Sequence, residues 1–216
     1  MDDRTATHPT PHLDPRQVRS RALILDAATE HFLRHGYLAG NIDVLAAEAG
    51  VAKRTVYNLF ESKGELFRAA VGRAIATAES FVAEHVEVLE TPGATFAADF
   101  DAFAVAHARA VLTPRVLATR RMLIGESARF PELAVEYVER VPGRVIAAIA
   151  AMLGRLAEEG HLRVPDPQLA ADHFAYLVLG ATLDRALFDP AVLDPARIDE
   201  KALAGARAFR SIYARR

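Results

Sequence analysis

Lys53, Arg54, Thr55, Tyr57 and Asn58 carry the most specific chemistry in this chain. Two cations can neutralise phosphate. A hydroxyl, a phenol and an amide can hydrogen-bond to phosphate oxygens or base edges. Val56, Leu59 and Phe60 are spaced to turn inward from the same segment. A helix here would therefore bury its apolar residues and show the polar ones, a face that suits a nucleic-acid groove. Lys63 adds a further cation, expected to meet a phosphate, and Arg16, Arg19 and Arg21 cluster upstream. The formal net charge of −2 does not oppose this, because a sequence-specific binder needs local rather than global positive charge.

The residues just before supply the positioning element. Ile42, Leu45, Ala46 and Ala49 fall at i, i+3, i+4 and i+7, one face of a short helix. Asn41 can cap its start, and Gly50 follows where a helix turns off through a left-handed residue. Small Ala46 lets two helices pack closely, Gly50 makes the corner and Val51 anchors it. This is the spacing of a helix-turn-helix. Upstream, a helix is expected from about Pro15 to His35, stopped by Gly36, with Ile24, Ala27, Ala28 and Phe32 on its inner side. Downstream, Ser62 and Glu65 form a Ser-x-x-Glu capping box that starts a helix at Lys63. It can run to about Leu89, where Thr91-Pro92-Gly93 ends it, a length of roughly 40 Å.

The stretch Arg21–Val71 resembles the TetR family of bacterial transcription regulators. The residues that carry the resemblance are ILDAATEHFLRHGY and LAAEAGVAKRTVYNLFESKGELFRAAV. Within them, Ala-Gly-Val, then Arg-Thr-Val-Tyr, Phe, Ser-Lys and Leu-Phe form a long and specific pattern. A second segment, Arg121–Leu133 (RMLIGESARFPEL), is similar to the AefR-like branch of that family's C-terminal domains. The chain departs from the family pattern at four positions. Gly40 stands for a frequent Thr, Ala52 for a Ser that caps the reading helix, Leu59 for His or Tyr, and Gly64 for Glu or Asp. The resemblance implies a homodimer joined through its last long helices as a four-helix bundle.

The rest of the chain also reads as helical. Further helices are expected over Thr95–Leu112, Pro114–Phe130, Pro131–Val141, Pro142–Glu159, Gln168–Phe188 and Ile198–Ala214, with breaks at Pro165-Asp166-Pro167 and Asp189–Pro195. The fold class is all-α, about nine or ten helices. Residues 1–14 form a flexible tail, 15–61 a three-helix DNA-binding domain, and 62–216 a larger ligand-binding and dimerisation domain, with the helix over 63–89 connecting the two. Phe100, Phe103 and His107 lie on one helical face. With Leu123, Met152, His173 and Tyr176 they are the candidate lining of a mostly apolar cavity, the two histidines offering polar anchors to a flat or hydrophobic effector. Arg120 and Arg121 are expected to pair with Glu126, Glu132 or Glu136. Phe174, Leu177, Val178, Ala181 and Phe209 are the candidate dimer interface. A dimer also follows from geometry: one reading helix binds weakly, whereas two spaced about one DNA turn apart read a palindrome.

Other function classes find less support. The chain has 216 residues, 51% hydrophobic, and no Cys, so thiolate metal sites and thiol nucleophiles are excluded and a reducing cytoplasm fits. No apolar run reaches the length of a membrane span, and the N-terminus lacks a secretory pattern. No phosphate loop, GxSxG elbow or HExxH occurs. His31 and His35, at i and i+4, make a poor metal site without further ligands and read as helix-surface histidines; His8 and His12 fall in the tail. No metal and no cofactor is expected. The expected function is a ligand-responsive homodimeric regulator, a repressor, whose partners are a palindromic double-stranded DNA operator and a small-molecule effector, with no membrane involved. The competing readings are a helix-turn-helix regulator controlled by a protein partner, with no small-molecule pocket, and a small-molecule-processing enzyme.

Overall fold

The computed structural model describes residues 14–87, with side chains to residue 80, and residues 96–215. The expected tail other than Asp14, the helix end at Leu89 and the Thr91-Pro92-Gly93 break lie outside the described residues. Among these residues there are ten α-helices and no strand. They are α1 (Pro15–Ala39), α2 (Ile42–Glu48), α3 (Lys53–Leu59), α4 (Lys63–Glu87), α5 (Phe96–Val111), α6 (Pro114–Glu126), α7 (Pro131–Arg140), α8 (Pro142–Glu158), α9 (Pro167–Phe188) and α10 (Pro195–Ile212). Proline stands in the first turn of six of them, α1 and α6 to α10, where its missing N–H costs no helical bond. Asp14, Thr113, Asp166 and Asp194 cap α1, α6, α9 and α10 by accepting backbone N–H groups.

The chain forms two compact units, residues up to Ala70 and residues from Val71. The first unit takes the opening turns of α4 as well as α1–α3, so its packing continues past residue 61. Ile24, Ala28 and Phe32 of α1, Leu45 and Ala46 of α2, Val56 and Phe60 at α3, and Leu66 and Phe67 of α4 make its core. Phe32 and Phe67 meet edge to face, with ring centroids 5.0 Å apart. Thr29 in α1 donates to Leu25 O at 2.8 Å and to Ala70 O at 3.4 Å. As the sequence predicts, α1 breaks at Gly36 (φ 72°), and a last turn carries it to Ala39.

In the second unit α9 packs against α5, α6, α8 and α10. Its apolar residues face several ways because it has several neighbours. Phe100, Phe174 and Phe209, from α5, α9 and α10, form the aromatic centre, with ring centroids 5.3 to 5.6 Å apart. Arg109 clamps Asp199 through two bonds of 2.7 and 2.5 Å, and Arg210 pairs with Asp101, so α5 is also held to α10 by charge. Two features escape the sequence pattern. α6 stops at Glu126, and a turn fills the gap to Pro131, which disfavours helical backbone in the residue before it. α9 is interrupted at Gly180 (φ 49°).

The crossing of α10 over α9 depends on Gly205, where a Cβ would overlap the carbonyl oxygen of Leu177. Gly205→Ala must push the helices apart, and overpacking of this kind costs about 1–3 kcal/mol. Urea unfolding of the variant should show that loss; unchanged stability would mean that the helices do not cross this closely.

Candidate nucleic-acid interface and effector domain

The candidate reading helix, α3, is short and is oriented by its buried side. Val56 and Phe60 are buried, while Lys53, Arg54, Tyr57 and Asn58 are exposed and Thr55 is half-buried. The corner before it is made at Gly50 (φ 68°), a conformation costly for any residue with a Cβ. There Val51 N–H donates to Ala46 O and Gly50 N–H to Ala47 O, closing the end of α2. Asn41 caps α2 as its position implies: its Oδ1 accepts from the N–H of Asp43 at 2.8 Å and of Val44 at 3.5 Å. Ala52 supplies no side-chain cap to α3. Ser62 accepts from Glu65 N–H at 3.1 Å, and the Glu65 carboxylate accepts from Glu61 N–H at 2.6 Å, one residue earlier than the usual capping box.

Two candidate phosphate contacts are engaged within the protein. Lys53 pairs with Asp43 at 2.7 Å, and that hydrogen bond and charge raise the lysine pKa above its ordinary value. Lys63 is half-buried; its Nζ donates to Leu38 O at 3.1 Å and sits 4.8 Å from the centre of the Tyr37 ring. Gly40, in place of a frequent threonine, is matched by its surroundings. A Cβ there would lie 2.6 Å from a ring carbon of Phe32.

His31 requires a correction. It is not a surface histidine but 2% exposed, with its Nδ1 2.9 Å from Glu48 Oε2 and its Nε2 accepting the Asn41 N–H at 3.0 Å. Arg34 donates to the other Glu48 oxygen at 2.8 Å. Burial raises the Glu48 pKa, but the bonds and charges of His31 and Arg34 outweigh it and the net direction is down. The signal was present in the sequence: His31 falls seven residues after Ile24 and three after Ala28, on the buried stripe. No group among the described residues has the composition of a metal site.

In the second unit the candidate ligand residues separate. Phe100 and Met152 lie in the core, and Phe103 stacks on Phe174 at 5.2 Å. Leu123 is buried on α6. His173 and Tyr176 do not join them. Both are exposed, Tyr176 at 76%, and His173 Nδ1 is 2.8 Å from Tyr213 Oη. The helical turn that sends Phe174 and Ala175 inward sends His173 and Tyr176 outward. Among the candidate interface residues, Phe174, Val178 and Phe209 are buried within the subunit itself and have no surface to offer a partner. Leu177 is half-buried and Ala181 exposed. Arg121 donates to Ala186 O at 3.0 Å, and Arg120 bonds the Tyr137 phenol, where an acidic partner was expected for each.

His107 is buried beside the Phe103 and Phe174 rings, and its Nε2 has no hydrogen-bond partner. Burial lowers its pKa from 6.5 to about 4. Arg120 Nε is likewise buried without a partner.

The family comparisons match both units. Residues 24–70 match the bacterial regulatory proteins of the tetR family, and residues 98–215 match the C-terminal domain of AefR-like transcriptional repressors. The chain belongs to the TetR family. It is a DNA-binding transcriptional regulator of helix-turn-helix type and not an enzyme. Among curated relatives, a segment of 54 residues is 43% identical to the transcriptional repressor SCO4008 of Streptomyces coelicolor, which is 25% of this chain and 27% of that protein. The match thus spans about a quarter of the relative's length. A TetR-family regulator from Mesorhizobium loti has a similar structure, with TM-score 0.81 and 25% identity, covering 93% of this chain and 99% of that one. The flavonoid-responsive regulator FrrA matches with TM-score 0.65 and 28% identity, over 91% of this chain and 97% of its own. No helix among the described residues is long and apolar enough to cross a membrane.

In this TetR-family chain, His107 should make stability depend on pH. The ring stays neutral when folded but protonates at 6.5 when exposed, so its contribution is present above 6.5 and is lost as pH falls through about 4. The shift sets a ceiling of about 3 kcal/mol on that loss. Urea unfolding at a series of pH values across this window should show His107→Leu with a shallower decline than wild type. Parallel declines would mean that the ring protonates freely in the folded protein.

Proposed function

We propose that this regulator is a homodimeric repressor that reads a palindromic operator and leaves it when a small apolar or aromatic effector binds. The observation that carries the DNA reading is the outward face of α3, with Lys53, Arg54, Tyr57 and Asn58 exposed above a buried Val56 and Phe60. Asn41 and Thr55 border that face, and Lys63, which spends one ammonium N–H on Leu38 O, has others to offer a phosphate. The repressor sense is supported by the AefR-like repressor match and by SCO4008. In this reading residues 15–61 are the DNA-binding domain, residues 62–216 bind effector and partner subunit, and α4 connects them.

The dimer face lies on the outer sides of α9 and α10. Leu169, Tyr176 and Phe188 on α9 and Ile212 on α10 are large, apolar and exposed, a costly arrangement in a lone subunit. Ala181 belongs with them. The effector would satisfy the buried nitrogens of His107 and Arg120, against the apolar surfaces of Phe103 and Leu123. A flat aromatic molecule fits that combination, and the flavonoid response of FrrA supports it. Effector binding would reach α4 through Glu79, which pairs at 2.5 Å with Arg140 of α7 and with Arg144 of α8. A coupling of about 1–3 kcal/mol changes operator affinity roughly 5–150-fold.

Selection of bound fragments from a random DNA pool should enrich an inverted repeat. On that sequence Arg54→Ala should weaken binding to all variants alike and reduce the salt slope by about one, while Asn58→Ala should alter base preference. Enrichment of a lone half-site would contradict the dimeric reading; wild-type behaviour of both variants would move the contact surface off α3. The wild-type protein should also sediment as a dimer, and Tyr176→Glu as a folded monomer. A dimeric Tyr176→Glu would place the interface elsewhere.

A further inference from the structure

Among the described residues of the first unit, His31 is the one buried titratable group that neither the DNA face nor the core explains. Both of its nitrogens are committed. Nε2 accepts the backbone N–H of Asn41 at 3.0 Å, and Nδ1 meets Glu48 Oε2 at 2.9 Å. An amide N–H can only donate, so Nε2 must carry the lone pair. The ring proton then sits on Nδ1 and is donated to the carboxylate. Asn41 caps α2 and Glu48 is its last residue, so a single ring on α1 grips both ends of a seven-residue helix. The Gly50 corner joins that helix directly to α3.

We propose that His31 is a positioning residue for operator reading: as the neutral Nδ1–H tautomer it seats α2, and with it α3, and a second proton on the ring releases the Asn41 end. Protonation places an N–H on Nε2 opposite the N–H of Asn41, and two donors do not share a hydrogen bond. The imidazolium keeps its attraction to Glu48, so the ring is drawn to that end of α2 and leaves the other. The charged groups around it are Glu48 from α2 and, on α1, Arg34 paired to Glu48 and His35 with its ring centroid 4.7 Å away. From α4, Phe67 meets the adjacent Phe32; from α3, the unit receives Val56 and Phe60. This role rests on α3 being the operator-reading helix.

The sign of the effect separates it from general electrostatics. Acidification adds positive charge to any protein, and positive charge strengthens DNA binding. Here operator affinity should fall instead, by roughly tenfold, as His31 takes its proton. The test measures binding of the full chain to a duplex selected from a random pool, across a pH series at fixed salt, for wild type, His31→Gln and His35→Gln. Glutamine can donate to Glu48 and accept from Asn41 without titrating. His31→Gln should therefore lose the acid decline, and His35→Gln should keep it. Nitrogen-15 spectra of the wild-type histidines at neutral pH should show His31 protonated at Nδ1 and bare at Nε2, which decides the clamp even if His31→Gln does not fold. A His31 ring protonated at Nε2, or an acid decline unchanged in His31→Gln, would overturn the role of His31 alone. Failure of wild type to select any duplex at any pH would overturn the operator reading and this role with it.

Discussion

The α3 helix has seven residues, too few to persist alone in water, so Lys53–Leu59 keeps its shape because Val56 and Phe60 are driven into the core of the first unit. The rest of that unit serves this anchorage. Phe32 and Phe67 fill the space between α1 and α4, and Ala46 and Gly50 let α2 turn closely into α3. Helix capping helps little at this point, since Ala52 gives α3 no side-chain bond. Position comes from burial and from the neighbouring helix, whose own ends are held by Asn41, His31 and Glu48. The exposed face then presents charge and hydrogen-bonding groups on a rigid base.

The second unit is built on a different balance. Its aromatic centre uses Phe100, Phe174 and Phe209, and the close crossing at Gly205 brings α10 against α9. Polar groups are paired across helices at the edge: Arg109 with Asp199, Arg210 with Asp101, and Glu79 with Arg140 and Arg144. Among the described residues, His107 Nε2 and Arg120 Nε are inward exceptions. Buried nitrogens without partners are costly in an apolar surround, and a bound molecule offering them acceptors or donors would relieve that cost.

The fold was legible where signals are local. Gly36, Asn41, Gly50, Ser62 and the prolines that open helices each act within a turn of their own position, and the structure shows them at the ends they imply. The polar face of α3 was legible too, because Val56 and Phe60 fix its phase. The inner and outer sides of α9 were not. That helix is apolar on several sides, so type alone does not separate Phe174, which fills the subunit core, from Tyr176, which faces outward. His31 was lost for the opposite reason: its polar type concealed a position that periodicity assigned to the core. Pairings such as Lys53 with Asp43 or Lys63 with Leu38 O depend on how elements meet, and no short-range pattern encodes them.

Operator reading by this chain requires that Lys53–Asn58 touch DNA. Backbone hydrogen exchange of the full chain, followed with and without a duplex selected from a random pool, tests this most directly. Slower exchange across Lys53–Asn58 and at the Asn41 end of α2, where the duplex would cover the backbone, is the expected result. Tight duplex binding that leaves those amides unchanged and protects another surface would contradict it.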